Sequence, residues 1–103
     1  MMNVAEYIKL ILKKKKWTNM KLCRELNKIE ENLGEARTCK QNITNYLNGR
    51  DIFRPKVLVK YEKALGLPFG TLLQMVSLPV ARDSKRELYE IIEKVYGKGK
   101  RLK

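Results

Sequence analysis

The sequence predicts an all-α protein. Three observations carry that prediction. Apolar residues recur at i, i+4 and i+7 in successive stretches, the spacing of one helix face. Helix start and stop residues bracket those stretches. No stretch shows sustained period-two alternation with β-branched residues, so no strand is expected.

The first helix is expected from Asn3 to about Lys15. Asn3 is a good N-cap, and Glu6 three residues on completes a capping-box-like pair. Val4, Ile8, Ile11 and Leu12 form the buried face, broadened by Tyr7 and Leu10. The helix ends in Lys13-Lys14-Lys15-Lys16. Successive lysines complement a helix C-terminus, and those that point outward can face phosphate.

Trp17 packs at the core edge, and Thr18 caps a second helix. Its stripe is Leu22, Cys23, Leu26, Ile29 and Leu33, which carries the helix to about Asn32 or Leu33, with Gly34 closing it. The third helix occupies Thr38 to Gly49. Thr38 is expected to cap it, with Gln41 reaching back, and Gly49 to end it. Ile43, Tyr46 and Leu47 form its narrow apolar stripe. The other face carries Lys40, Gln41, Asn42, Thr44, Asn45 and Asn48. Amide side chains both donate and accept, which is what reading a base edge in the major groove requires.

Pro55 suits the first turn of a fourth helix. Its face is Val57, Leu58, Tyr61, Ala64 and Leu65, and Gly66-Leu67 gives a Schellman-like ending. Pro68 opens a short fifth helix through Phe69, Leu72, Leu73 and Val76, with Met75 also in the core. Leu78-Pro79 breaks it. Asp83 or Ser84 caps a last helix, about 84–96, with Glu87 completing a capping box with Ser84 and Gly97 ending it. Its stripe is Leu88, Ile91, Ile92 and Val95, flanked by Tyr89 and Tyr96. Lys98 to Lys103 form a basic tail.

A chain of 103 residues, 44% hydrophobic, has room for one modest core. We expect a DNA-binding domain over residues 1–77, then the last helix and tail over 78–103. The longest nearly uncharged run, Leu65 to Val80, is too short and too interrupted to span a bilayer. No signal pattern opens the chain, so a cytoplasmic protein with no membrane partner is expected. The net charge of +12 is the electrostatic footprint of a nucleic-acid binder. Acidic membranes and acidic proteins attract the same charge.

Enzymatic chemistry is not expected. The chain has no histidine, the commonest general base. No nucleophile–base pair, glycine-rich phosphate loop, cofactor box or small-molecule substrate site is evident. Two cysteines, Cys23 and Cys39, cannot build a structural zinc site by themselves. A thiol in the first turn of a helix can acquire a lowered pKa, but Cys39 reads more simply as a small first-turn residue.

The order of these pieces resembles the lambda-repressor-like helix-turn-helix family, also called the XRE or Cro type. The resemblance covers roughly Val4 to Met75. Trp17-Thr-Asn-Met-Lys-Leu-Cys23 looks like the start of the family's second helix, with Leu22-Cys23 in place of its usual Leu-Ala pair. Ile43-Thr-Asn-Tyr-Leu-Asn-Gly49 looks like the third helix and its Asn-Gly ending. Arg54-Pro55, Leu58 and Ala64-Leu65-Gly66-Leu67 look like the fourth helix and its ending. The chain departs from the family around Lys28 to Ala36, where extra residues replace a tight turn. A lengthened second helix is one explanation. A normal helix ending near Asn27, followed by a separate turn of helix, is the other.

The resemblance implies a five-helix DNA-binding bundle, with a lengthened helix 2 region and an additional C-terminal helix. It implies sequence-specific binding of double-stranded DNA by a transcriptional repressor of phage or mobile-element type. Base contacts fall to Lys40, Gln41, Asn42 and Asn45. Phosphate contacts fall to Thr18, Asn19, Thr44 and Asn48, joined by the nearby cations Arg50 and Lys56. Such proteins act as homodimers on palindromic sites. Leu88, Ile91, Ile92 and Val95 are the candidate dimer contact, or else simply close the bundle. The alternative function is a protein-interaction module, such as an antitoxin component, built on the same bundle.

Overall fold

The computed structural model describes residues 3–35, 37–50, 53–75 and 85–97. Among the described residues there are five α-helices, one 3-10 turn and no strand. No helix among them is long and apolar enough to cross a membrane. The chain divides into two compact units, Met1–Phe53 and Arg54–Lys103. The division falls between the third and fourth helices, upstream of the expected boundary at 77/78.

The first unit holds α1 (Val4–Lys15), α2 (Asn19–Leu33) and α3 (Lys40–Leu47). Its helix starts follow local side-chain chemistry. Asn3 Oδ1 accepts the Glu6 N–H at 2.8 Å, and Asn3 Nδ2 donates to Glu6 Oε1 at 3.2 Å. Thr18 Oγ1 accepts the Lys21 N–H at 3.1 Å. These caps satisfy backbone donors that have no partner inside the helix. Val4, Ile8, Ile11, Leu12, Leu22, Cys23, Leu26, Ile43, Leu47 and Phe53 are buried. Leu10, expected on the apolar face of α1, is exposed instead. Ile29 and Leu33 are half-buried, because the stripe of α2 turns through Glu30 rather than along them.

α2 runs unbroken for 15 residues. The residues after Asn27 therefore continue this helix, and no separate helical turn follows Asn27. Gly34 ends it at φ +71°, donating to Glu31 O, while the Glu35 N–H donates to Glu30 O at 2.9 Å. This is the paired hydrogen-bond pattern of the Schellman motif.

The second unit holds α4 (Pro55–Ala64), a 3-10 turn (Leu73–Met75) and α5 (Lys85–Tyr96). α4 ends as predicted. Gly66 adopts φ +74°, and the Leu67 N–H reaches Glu62 O at 2.9 Å. Its buried face differs from expectation by one residue's rotation. Val59 and Glu62 are buried with Leu58, Tyr61 and Leu65, while Val57 and Ala64 are half-buried. The expected fifth helix does not form. Residues 69–72 make turns and only Leu73–Met75 is helical, in the tighter 3-10 form.

The cause is the buried Glu62 carboxylate. It accepts the N–H groups of Gly70 (3.2 Å), Leu72 (2.6 Å) and Leu73 (3.1 Å). Leu72 and Leu73 are buried as expected, whereas Phe69 and Met75 are half-buried. Phe69 packs edge-on against Tyr96 at 5.3 Å between ring centroids. The predicted Val76 end, the Leu78-Pro79 break, the Asp83 and Ser84 capping residues and the Lys98–Lys103 tail lie outside the described residues, so the expected Ser84–Glu87 capping box does too.

α5 packs along α4, and Leu88, Ile91 and Ile92 are buried. Only Val95 of the candidate dimer stripe is half-exposed. Closing the helical unit is therefore the role these three residues fill within the single chain.

Candidate nucleic-acid interface

α3 is the centre of the candidate site. Ile43 and Leu47 are buried and fix which face points inward. Tyr46 is half-buried and stacks on Phe53 at 4.6 Å, tying the chain after α3 back onto the helix. Asn48 ends the helix, Gly49 turns the backbone at φ +78°, and Arg50 N–H donates to Asn45 O at 2.9 Å. Lys40, Gln41, Asn42 and Asn48 are exposed, while Thr44 and Asn45 are half-exposed. Gln41, Asn42, Asn45 and Asn48 thus lie on the side of α3 away from the buried stripe, Thr44 flanks the stripe, and Lys40, three and seven residues before Ile43 and Leu47, is exposed at the first turn.

Two of them are directly linked. Gln41 Nε2 donates to Asn45 Oδ1 at 3.0 Å. The bond leaves Gln41 Oε1 as an acceptor and the Asn45 amino group as a donor, both with capacity for an outside partner. An acceptor beside a donor is the complement of the adenine major-groove edge. Thr44 Oγ1 instead donates to Lys40 O at 3.2 Å. Its proton is committed to its own helix, so a phosphate contact requires the hydroxyl to turn.

The N-terminus of α3 is set in a way the sequence pattern does not show. Thr38 does not cap this helix. Cys39 is the N-cap residue and makes no side-chain cap bond. Thr38 is instead held by α2 through all three of its polar groups. Its N–H donates to Glu30 Oε1 at 2.9 Å and its hydroxyl to Glu30 Oε2 at 2.5 Å. Its carbonyl accepts from Cys23 Sγ at 3.2 Å, and Asn27 Nδ2 in turn donates to that sulfur at 3.7 Å.

Glu30 is only 2% exposed. A buried carboxylate needs such donors to offset its lost hydration. The anchoring pair Glu30 and Cys23 is what sequence reasoning missed. One signal was available: Glu30 stands at i+4 from Leu26 and i+7 from Cys23, inside the apolar stripe.

The remaining candidates fall in two places. Thr18 caps α2 with its oxygen lone pair, which keeps its hydroxyl proton available for a phosphate oxygen. Asn19 is the first residue of α2 and half-buried. Arg50 is exposed just past α3. Lys56 belongs to the second unit, on the first turn of α4.

Away from α3, the Glu25 carboxyl is held below its usual range, first by the Lys21 hydrogen bond at 3.1 Å and then by Lys28 at 3.2 Å. No cluster of three or more metal-ligating side chains occurs among the described residues. Cys23 is buried, Cys39 is exposed, and both are free thiols. In comparisons with known protein families, with curated proteins and with solved structures, no match to this chain was found.

Proposed function

We propose that this chain binds double-stranded DNA sequence-specifically and regulates transcription, as a repressor of phage or mobile-element type. One observation carries the reading. α3 buries a two-residue stripe, Ile43 and Leu47, and turns an amide-rich face outward on which Gln41 and Asn45 are already hydrogen-bonded to each other. Amides so braced lose less freedom on meeting a base edge than separate side chains do. The net charge of +12 supports the reading, since it draws the chain to the phosphate backbone regardless of sequence. Lys40, Gln41, Asn42 and Asn45 read bases. Thr18, Asn19, Thr44, Asn48, Arg50 and Lys56 serve phosphates.

The protein acts as a homodimer on a palindromic site. Contact through α5 must then use surface other than Leu88, Ile91 and Ile92, which are buried. Selection of bound sequences from a random duplex pool tests the reading. Two inverted half-sites about one helical turn apart are expected. Recovered sequences with no shared motif contradict it.

A further inference from the structure

The described residues contain six left-handed backbone positions. Five are glycine, at 34, 49, 66, 70 and 97, and the sixth is Lys16, at φ +59°. Lys16 does the same work as Gly34, Gly49 and Gly66. Its N–H donates to Lys13 O at 3.2 Å, and the Trp17 N–H reaches Leu12 O at 2.9 Å, closing α1. Glycine adopts this conformation without the steric cost that a Cβ brings.

The dipole of α1 does not require a lysine here. Lys13, Lys14 and Lys15 already lie in its last turn. The next residue, Trp17, braces the neighbouring charges. Lys15 Nζ lies 5.2 Å and Lys21 Nζ 5.4 Å from the centre of its ring, within the range of cation–π attraction. Lys21 is also paired with Glu25. Lys15 and Lys16 have no carboxylate partner among the described residues. Both are exposed. Strained backbone under an unneutralised cation, beside lysines ordered on an aromatic face, is a costly arrangement unless an anion uses it.

We propose that Lys16, with Lys15 braced on Trp17, is a phosphodiester-binding corner between α1 and α2 that holds the DNA backbone. The proposal rests on the DNA-binding reading and adds a contact from the end of α1 to those assigned to α2 and α3. The discriminating variant is Lys16→Gly, because it moves stability and binding in opposite directions.

Relief of the left-handed strain should raise Tm by a few degrees, about 2–5 °C. Loss of one phosphate contact should lower the slope of log affinity against log salt by about 0.9, which is roughly five- to tenfold in affinity at 0.1 M salt. Lys16→Arg should retain wild-type affinity. Lys9→Gln, an exposed charge on α1, should leave the slope nearly unchanged. Unchanged affinity and slope in Lys16→Gly, or an equal change in Lys9→Gln, overturns the corner while leaving the DNA reading intact. A wild-type protein that binds no duplex DNA overturns both.

Discussion

Glu30 and Glu62 occupy the same place in two different helices. Each lies near the last turn of its helix, with its own carbonyl accepting the N–H that follows a left-handed glycine: Glu35 after Gly34, Leu67 after Gly66. Eight residues beyond each glutamate, its carboxylate captures a backbone N–H, from Thr38 for Glu30 and from Gly70 for Glu62. The loads then diverge. Glu62 also takes the N–H groups of Leu72 and Leu73 and the hydroxyl of Tyr96 at 3.4 Å, so it binds a loop and α5 to α4. The Glu30 carboxylate takes both the N–H and the hydroxyl of Thr38, just before α3. A carboxylate that gathers donors from several segments organises a core. One that grips the residue just before a helix fixes where that helix begins.

The sharpest way to break this comparison is to remove each carboxylate. Glu62→Ala leaves three backbone donors without their acceptor in a buried site, so a loss on the order of 4 kcal/mol is expected in urea unfolding. A cost below about 1 kcal/mol would show that water replaces the carboxylate and that Glu62 is no hub. Glu30→Ala should cost less, about 2–3 kcal/mol, and should speed amide exchange in α3 more than in α4. Thr38→Val removes only the hydroxyl, at about 1 kcal/mol. Combined in a cycle, the two should be coupled by 0.5 kcal/mol or more, as contacting residues are. Additive losses would mean that Glu30 stabilises α2 without positioning α3.

A smaller effect concerns pH. Burial first, then the charge of Glu62 and its hydrogen bond, push the Tyr96 phenol well above its usual value near 10. The folded chain therefore keeps a proton that the unfolded chain releases. The contribution is full below about pH 10 and falls as pH rises from there toward the folded value. Tyr96→Phe should lack that decline, so the stability gap between wild type and variant should narrow above about pH 10. A gap that stays constant through that range would separate Tyr96 from Glu62.

The same comparison explains what was legible in the sequence. Asn3, Thr18, Pro55, Gly34 and Gly66 act within four residues of themselves, and the structure places each at the helix end its pattern predicts. Thr38 carries an equally good local pattern with Gln41, yet its hydroxyl goes to Glu30, eight residues upstream, and the cap passes to Cys39. The expected helix after Pro68 was altered in the same way, since Glu62 draws on the N–H groups of Gly70, Leu72 and Leu73. Local patterns do not contain these partners. In the candidate site, the outward face of α3 was readable from the 3.6-residue period. The Gln41–Asn45 bond and the Thr38 anchor depend on side-chain geometry that the period does not determine.

The most direct test of the account is base reading by α3. Affinity for the selected duplex and for a scrambled duplex of equal length should be measured at fixed salt, for wild type and for the double variant Gln41→Ala, Asn45→Ala. Each base contact discriminates by about 1–3 kcal/mol. The account predicts that the ratio of the two affinities falls at least tenfold, with Tm within about 2 °C of wild type, because both side chains lie on the outward face of α3. Equal loss on both duplexes, or an unchanged ratio, would contradict it.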